Sequence, residues 1–130
     1  MNATDAEVER LGAATYLSLT TFRRDGTPVA TPVWVSRDGD HLVVWTERDS
    51  GKTKRLRNNP SVLLGPCDAR GRLQGVEVDG TARVLDGADQ VDRLRALHQA
   101  KYGLKFRAFD AFASLFRRAH GHVVIEISLT

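Results

Sequence analysis

The chain has 130 residues, 42% of them hydrophobic and 27% charged, and carries a formal net charge of +3. That size and balance suit one soluble domain around a single core, residues 1–130. So mild a positive charge, without aromatics interleaved among clustered Lys and Arg, argues against a nucleic-acid-binding module.

No apolar run approaches the roughly 18 residues of a membrane span, so no stable membrane insertion is expected. The opening M-N-A-T-D-A-E-V-E-R is acidic and polar, unlike a signal peptide. Cys67 is the only cysteine, so no internal disulfide can form, which fits a reducing cytoplasm.

In chain order, Val8 and Leu11 are spaced for a short helix over Ala3–Gly12. Tyr16–Phe22 alternates Leu17 and Leu19 with Ser18 and Thr20, the pattern of a half-buried strand. Arg24-Asp25-Gly26 is a turn, and a second strand is expected over Thr27–Val35. Pro28 and Pro32 lie inside it. A proline cannot donate to a sheet ladder, so these positions belong to an edge, a bulge or a face that meets something other than a strand. Asp38-Gly39 then turns the chain into a strand at His41–Trp45.

Trp45–Pro60 is the most informative stretch. Asp49 or Ser50 can cap a helix of about two turns, and Asn59-Pro60 ends it. Lys52, Lys54, Arg55 and Arg57 crowd this helix. Cations in its first turn meet the positive pole of the macrodipole, a cost of roughly 0.3–1 kcal/mol each. The stretch is therefore either an anion site or a solvated basic face. Asp49 and Glu47 read as cap and counter-ion.

A strand over Ser61–Pro66, buried on both sides, a loop over Cys67–Leu73 and a long strand over Gly75–Leu85 follow. Ala88–Tyr102 is a helix with Val91, Leu94 and Leu97 on one stripe, stopped by Gly103. A further helix over Leu104–Arg118 carries Phe106, Phe109, Phe112 and Phe116 at helical spacing. That stripe is core, a pocket wall or a membrane-facing surface. His122–Leu129 alternates as a last strand. Six strands at short spacing, with helices inserted, predict a mostly β, α+β barrel or sandwich.

Catalytic devices are sparse. Cys67 and the distant histidines make a weak case for a thiol nucleophile. His120-x-His122 lacks a third ligand nearby and reads as a surface pair, so no metal is expected. Trp34 and Trp45 are aromatic core by default, although a flat cofactor would use such rings or the backbone beside them.

The order T-P-V-A-T-P-V-W-V, V-V-W-T, S-x-K-x-x-x-L-x-x-N-P and a V-L-L strand resembles the pyridoxamine-phosphate-oxidase-like flavoproteins. It is most similar to their actinobacterial branch, the flavin/deazaflavin-dependent oxidoreductases that use coenzyme F420. K-T-K-R-L-R-N-N-P, P-C-D-A-R-G-R after Gly65, and V-E-x-x-G-T-A-R-V-L strengthen the match.

The resemblance implies a split β-barrel, built as a homodimer with two cofactor sites at the subunit interface. It implies that Thr31, Pro32, Val33 and Trp34 present backbone to a tricyclic ring. Thr46 and Ser50 would bond near the phosphate, with Lys52 and Lys54 neutralising it and the tail beyond. Gln74 and Gly75 would reach the ring of the partner subunit. Where the vitamin B6 oxidases carry phosphate-binding arginines, this chain has Ala30 and Gly51, and their C-terminal arginine motif is absent. Oxidation of pyridoxamine phosphate is therefore not expected.

The implied activity is that of a cytoplasmic F420-dependent reductase. It would deliver a hydride to an activated C=C, C=N or quinone-like bond of an apolar or aromatic small molecule. No catalytic residue is assigned. The alternative is an FMN-binding or non-catalytic cofactor-binding protein of the same fold.

Overall fold

The computed structural model describes residues 3–103 and 122–129. Its helices are α1 (Ala3–Gly12), α2 (Gly51–Asn58) and α3 (Ala88–Tyr102). Its strands are β1 (Tyr16–Phe22), β2 (Pro28–Val33), β3 (Ser36–Asp38), β4 (His41–Glu47), β5 (Ser61–Cys67), β6 (Val78–Leu85) and β7 (His122–Leu129). The predicted helix over 104–118, with its phenylalanines, and His120 lie outside the described residues.

All seven strands join one sheet in the order β2-β1-β5-β6-β7-β4-β3, and every pairing is antiparallel. The two end strands, β2 and β3, are consecutive in the chain with only Trp34 and Val35 between them. The sheet must therefore curl until its ends nearly meet. The result is the predicted mostly β, α+β architecture: a curled half-barrel carrying three helices among the described residues.

Local chemistry explains most boundaries. Gly26 sits at φ 90°, left-handed backbone that favours glycine, and its N–H returns to the Arg23 carbonyl at 2.9 Å. β2 then pairs only with β1, so Pro28 and Pro32 lie in an edge strand where a missing donor is tolerated. Inside the curl, Leu17, Leu19, Leu42, Val44, Val62, Leu64, Ile125 and Ile127 form an aliphatic core. Outside it, Leu94 of α3 packs on Val43 and Val124, joined by Val91 and Leu97 of the predicted stripe.

Several expectations are corrected. The run Thr27–Val35 is not one strand. Val33 is the last residue paired with β1, opposite Leu17, and Ser36 is the first paired with β4, opposite Val43. The chain changes sheet edge at Trp34–Val35, which makes seven strands among the described residues rather than six. β6 begins at Val78, because residues 73–74 still follow β5: Leu73 bridges Cys67, and Gln74 N–H donates to the Pro66 carbonyl at 2.8 Å.

β1 is buried on both faces, Ser18 and Thr20 included. The loop after β5 lies over the neighbouring strands, where a Cβ on Gly65 would stand 3.0 Å from Leu73 Cδ2 and one on Gly71 3.6 Å from Pro32 Cδ. β5 buries Val62 and Leu64 on one face and Gly65 and Cys67 on the other, with Leu63 half-buried and only Ser61 at its start exposed.

Candidate functional site

A cleft of about 320 Å³ opens where β2 leaves the sheet, beside the end of β4 and the start of α2. Pro32, Val33 and Trp34 form one wall. Trp45, Thr46 and Glu47 form another, and Ser50 and Lys52 stand at one end. Tyr16, His98 and His122 complete it.

The α2 end is built from a chain of hydroxyls. Ser50, in extended backbone at φ −64° and ψ 156°, is the N-cap and accepts from Thr53 N–H at 3.2 Å. Its Oγ lies 2.8 Å from Thr53 Oγ1, which donates to the Glu47 carbonyl at 3.2 Å. Thr46 Oγ1 donates to Ser50 Oγ across a long 3.4 Å. The first-turn amides of Gly51 and Lys52 have no partner within the helix.

Lys52 is half-buried in this setting. Burial lowers its pKa from the ordinary 10.5, the Arg55 guanidinium lowers it further, and Glu47 opposes both. The arrangement offers hydroxyls, amides and one ammonium to an anion.

The other end is aromatic. Trp45 stacks on His122, with ring centroids 5.0 Å apart and planes at 22°. Trp34 stacks on Tyr102 at 4.8 Å and 13°. His98 Nε2 lies 3.4 Å from the Trp34 carbonyl, and a carbonyl can only accept, so Nε2 carries the proton in that contact. Burial pushes His98 down to about 4, aided by Lys101 and opposed by the Trp34 contact, so the imidazole is neutral at pH 7.

α3 fixes this wall by its last turns. Lys101 Nζ donates to the carbonyls of Gly12 (2.7 Å), Ala14 (2.7 Å) and Val35 (2.6 Å), which uses all three of its N–H groups. Tyr102 Oη accepts from Val35 N–H at 2.9 Å, and its one proton goes to Thr15 O at 2.7 Å or Val35 O at 2.9 Å. Burial holds Lys101 down to about 8 and Tyr102 up to about 12. The face His98–Lys101–Tyr102 thus grips the two-residue link between β2 and β3. A second hollow of about 250 Å³ shares Tyr16 and Trp34 with the cleft and is closed by Thr15, Lys101 and Tyr102.

Of the residues predicted from sequence, Pro32, Val33, Trp34, Thr46, Ser50 and Lys52 are brought together in the cleft. Thr31 is half-buried in β2 opposite Leu19 and does not line it. Lys54 is exposed and away from the cleft. Gln74 and Gly75 are exposed beside the C-terminal end of β5, where a Cβ on Gly75 would lie 2.8 Å from Pro66 Cγ and 3.3 Å from Arg10 Nη1. Within one chain they do not reach the cleft.

Sequence reasoning missed Tyr16 and His98, and it read His122 as a surface residue, whereas His122 is buried and lines the cleft. A signal for His98 was present: it follows Leu94 by four residues and so falls on the apolar stripe of α3. Cys67 is buried, and burial, with Asp68 second, raises its thiol pKa, the opposite of a nucleophile's tuning. Among the described residues, no group of three or more His, Cys, Asp or Glu side chains is placed to hold a metal ion. Among them, too, no helix is long and apolar enough to cross a membrane.

The model of the family described as pyridoxamine 5'-phosphate oxidase matches residues 3–130. No curated protein sequence matches the chain. Among solved structures, a conserved hypothetical protein from Mycobacterium tuberculosis has a TM-score of 0.71 at 20% identity, covering 99% of this chain and 81% of that one. An F420 reductase has a TM-score of 0.63 at 21% identity, covering 94% and 92%. The heme storage protein HutZ from Vibrio cholerae has a TM-score of 0.69 at 11% identity, covering 98% and 90%. At these identities the likeness is one of fold.

Proposed function

The chain belongs to the pyridoxamine 5'-phosphate oxidase family, and from that premise we propose that it is an F420-dependent reductase. One observation carries the reading. A single cleft joins an aromatic wall to a lysine, hydroxyls and free amides at the start of α2. A flat ring with an anionic side chain needs both. The donor set fits such a group: Trp34 and Val33 would flank its ring, and Thr46 and Lys52 would hold its phosphate. Ala30 and Gly51 stand where the vitamin B6 oxidases carry arginines, so neither position supplies a guanidinium of its own to a compact phosphate, and the Arg55 guanidinium beside Gly51 is tied back to Thr21; both favour coenzyme F420 over FMN.

Bound here, reduced F420 supplies a hydride for an activated C=C, C=N or quinone-like bond in an apolar or aromatic acceptor. The chain positions and desolvates. Lys52 offsets the phosphate charge, and the packed rings keep water from the ring position. His98, neutral and turned to Trp34, orients the wall and does not serve as the acid. The proton comes from solvent or from the acceptor's own tautomerisation. Gln74 and Gly75 act across a homodimer interface. Their neighbours Leu73, 49% exposed, and Val76, 75% exposed, are the apolar side chains a second subunit would cover.

A second reading rests on His98 and His122, two imidazoles in one aromatic cleft, in a fold shared with a heme storage protein. Separate titrations with oxidised F420, reduced F420, FMN and heme decide between them. Tightest binding of F420, with turnover of a quinone or enone acceptor, supports the reductase. Tightest binding of heme, lost in His98→Ala or His122→Ala, replaces it, and binding of FMN alone returns the chain to the flavin branch.

A further inference from the structure

The four cations of α2 do not form one row. At about 100° per residue, Lys52 and Arg55 fall roughly 60° apart on one face, and Lys54 and Arg57 fall on the other. Lys54 and Arg57 are exposed, whereas Lys52 and Arg55 are half-buried.

Arg55 is drawn back along its own helix. Its Nε donates to Thr21 Oγ1 of β1 at 2.6 Å, and its Nη1 lies 2.7 Å from where a Cβ on Gly51 would stand. The guanidinium therefore lies beside the first residue of α2, in the space that a side chain at Gly51 would share with it. Thr21 is 1% exposed, so the anchoring hydroxyl is fixed.

The charges around Arg55 are of its own sign. Its pKa is lowered by burial and by Arg23 of the β1–β2 turn, and Arg55 in turn lowers Lys52. Arg24 of the same turn reaches Asn58 Oδ1 of α2 at 3.5 Å, which holds the turn against the helix. Acidic groups act on the two outer cations, Glu47 on Lys52 and Asp25 with Arg23. Among the described residues, none of the five ion pairs includes Lys52, Arg55 or Arg23. A guanidinium held between two cations, where it could swing into solvent, is an arrangement that an incoming anion relieves.

We propose that Arg55, flanked by Lys52 and Arg23, is a second anion subsite just outside the cleft. It takes a carboxylate or phosphate carried on the ligand whose ring fills the cleft. That ligand is an extended polyanion, with charges spaced along a chain, and its tail crosses Gly51 towards the β1–β2 turn instead of following Lys54 and Arg57. The inference rests on the cleft reading given above and adds the route and the charge spacing.

Thermal-shift titrations with orthophosphate and tripolyphosphate, at matched ionic strength, test it on the wild type and on R55M, R23M and R57M. The wild type is expected to bind tripolyphosphate about tenfold tighter than orthophosphate. R55M and R23M each remove that advantage, and R57M keeps it. Equal affinity for the two anions in the wild type, or a loss in R57M as large as in R55M, overturns the subsite. R23M changes only an exposed turn, so it remains decisive if R55M folds poorly. F420 binding separates this from the parent reading. Wild-type protein that fails to bind F420 but keeps the tripolyphosphate pattern sinks the cofactor assignment and supports the subsite. F420 bound equally well by wild type and R55M overturns the subsite alone.

Discussion

The inside of the curled sheet and the cleft at its seam are built on opposite rules. Inside, the packed side chains are aliphatic, from Leu17 and Leu19 through Leu64 to Ile125 and Ile127. Around the cleft, His98, Lys52, Lys101, Tyr102 and nearby Arg55 all have their pKa values displaced, with burial the leading cause in each. The interior gains free energy by excluding water from carbon. The rim holds polar groups away from water at a cost, partly offset by bonds to backbone carbonyls. A chain that keeps such a rim has a use for it.

The sharpest way to separate the two regions is to damage the interior. Ile125→Ala is expected to lower stability by about 2–5 kcal/mol in denaturant unfolding. Cofactor affinity of the folded fraction should stay unchanged. A tenfold loss of affinity in conditions where the variant is fully folded would show that core and cleft are coupled.

His98 tests the rim. Its pKa falls from 6.5 to about 4 on folding, so between those values the unfolded chain binds a proton that the folded chain does not. Stability from this group is complete above pH 6.5 and lost as pH falls through 4. The loss is about 3 kcal/mol. His98→Gln can still donate to the Trp34 carbonyl and should lack this part of the acid slope. Identical slopes for wild type and variant would mean that His98 is solvated.

Lys52→Ala tests the anion end. A charge-assisted contact of roughly 1.5–3 kcal/mol predicts a ten- to hundred-fold weaker F420 affinity, read by fluorescence titration. Stability should hold or rise, since the variant removes a half-buried cation from beside Arg55. In the wild type, affinity should fall as pH rises through the folded pKa of Lys52, which lies below 10.5. Affinity that is flat up to pH 10.5 would place the anion elsewhere.

The interior was more legible than the rim, for a physical reason. Periodicity reports which face of an element is apolar, and this fixed α1, β1, α3 and β7 to the residue. It could not show that V-W-V-S changes sheet edge at Trp34–Val35, because each half reads as β-strand and only pairing separates them. Nor could it start β6 at Val78, since Val76 and Glu77 continue the alternation without a ladder partner among the described strands. At the site, local grammar offered Asp49 or Ser50 as the cap and leaned to Asp49; the structure puts Ser50 in that role, with Lys52 beside it, because its hydroxyl accepts from the Thr53 amide. Arg55 and Arg23 are 32 positions apart in sequence and meet only through the curl of β1 against α2. His98 reaches Trp34 in the same way, over a separation of 64 residues.

The smallest predicted effect concerns which hydroxyl serves the ligand. Thr53 gives its proton to the Glu47 carbonyl, so in the 2.8 Å contact Ser50 is the donor and Thr53 Oγ1 the acceptor. Ser50 Oγ also accepts from Thr53 N–H. Its one proton is therefore committed, and its role is that of a cap. Thr46 spends its proton on a 3.4 Å contact and can turn it to a phosphate oxygen at little loss. Ser50→Ala should thus cost about 1 kcal/mol of stability while cofactor affinity changes less than about twofold. Thr46→Val, close in shape, should lower affinity by about 1 kcal/mol, near fivefold, with little change in stability. The reverse result, affinity lost in Ser50→Ala and kept in Thr46→Val, would mean that the ligand turns the hydroxyl chain around and that Ser50 is its donor.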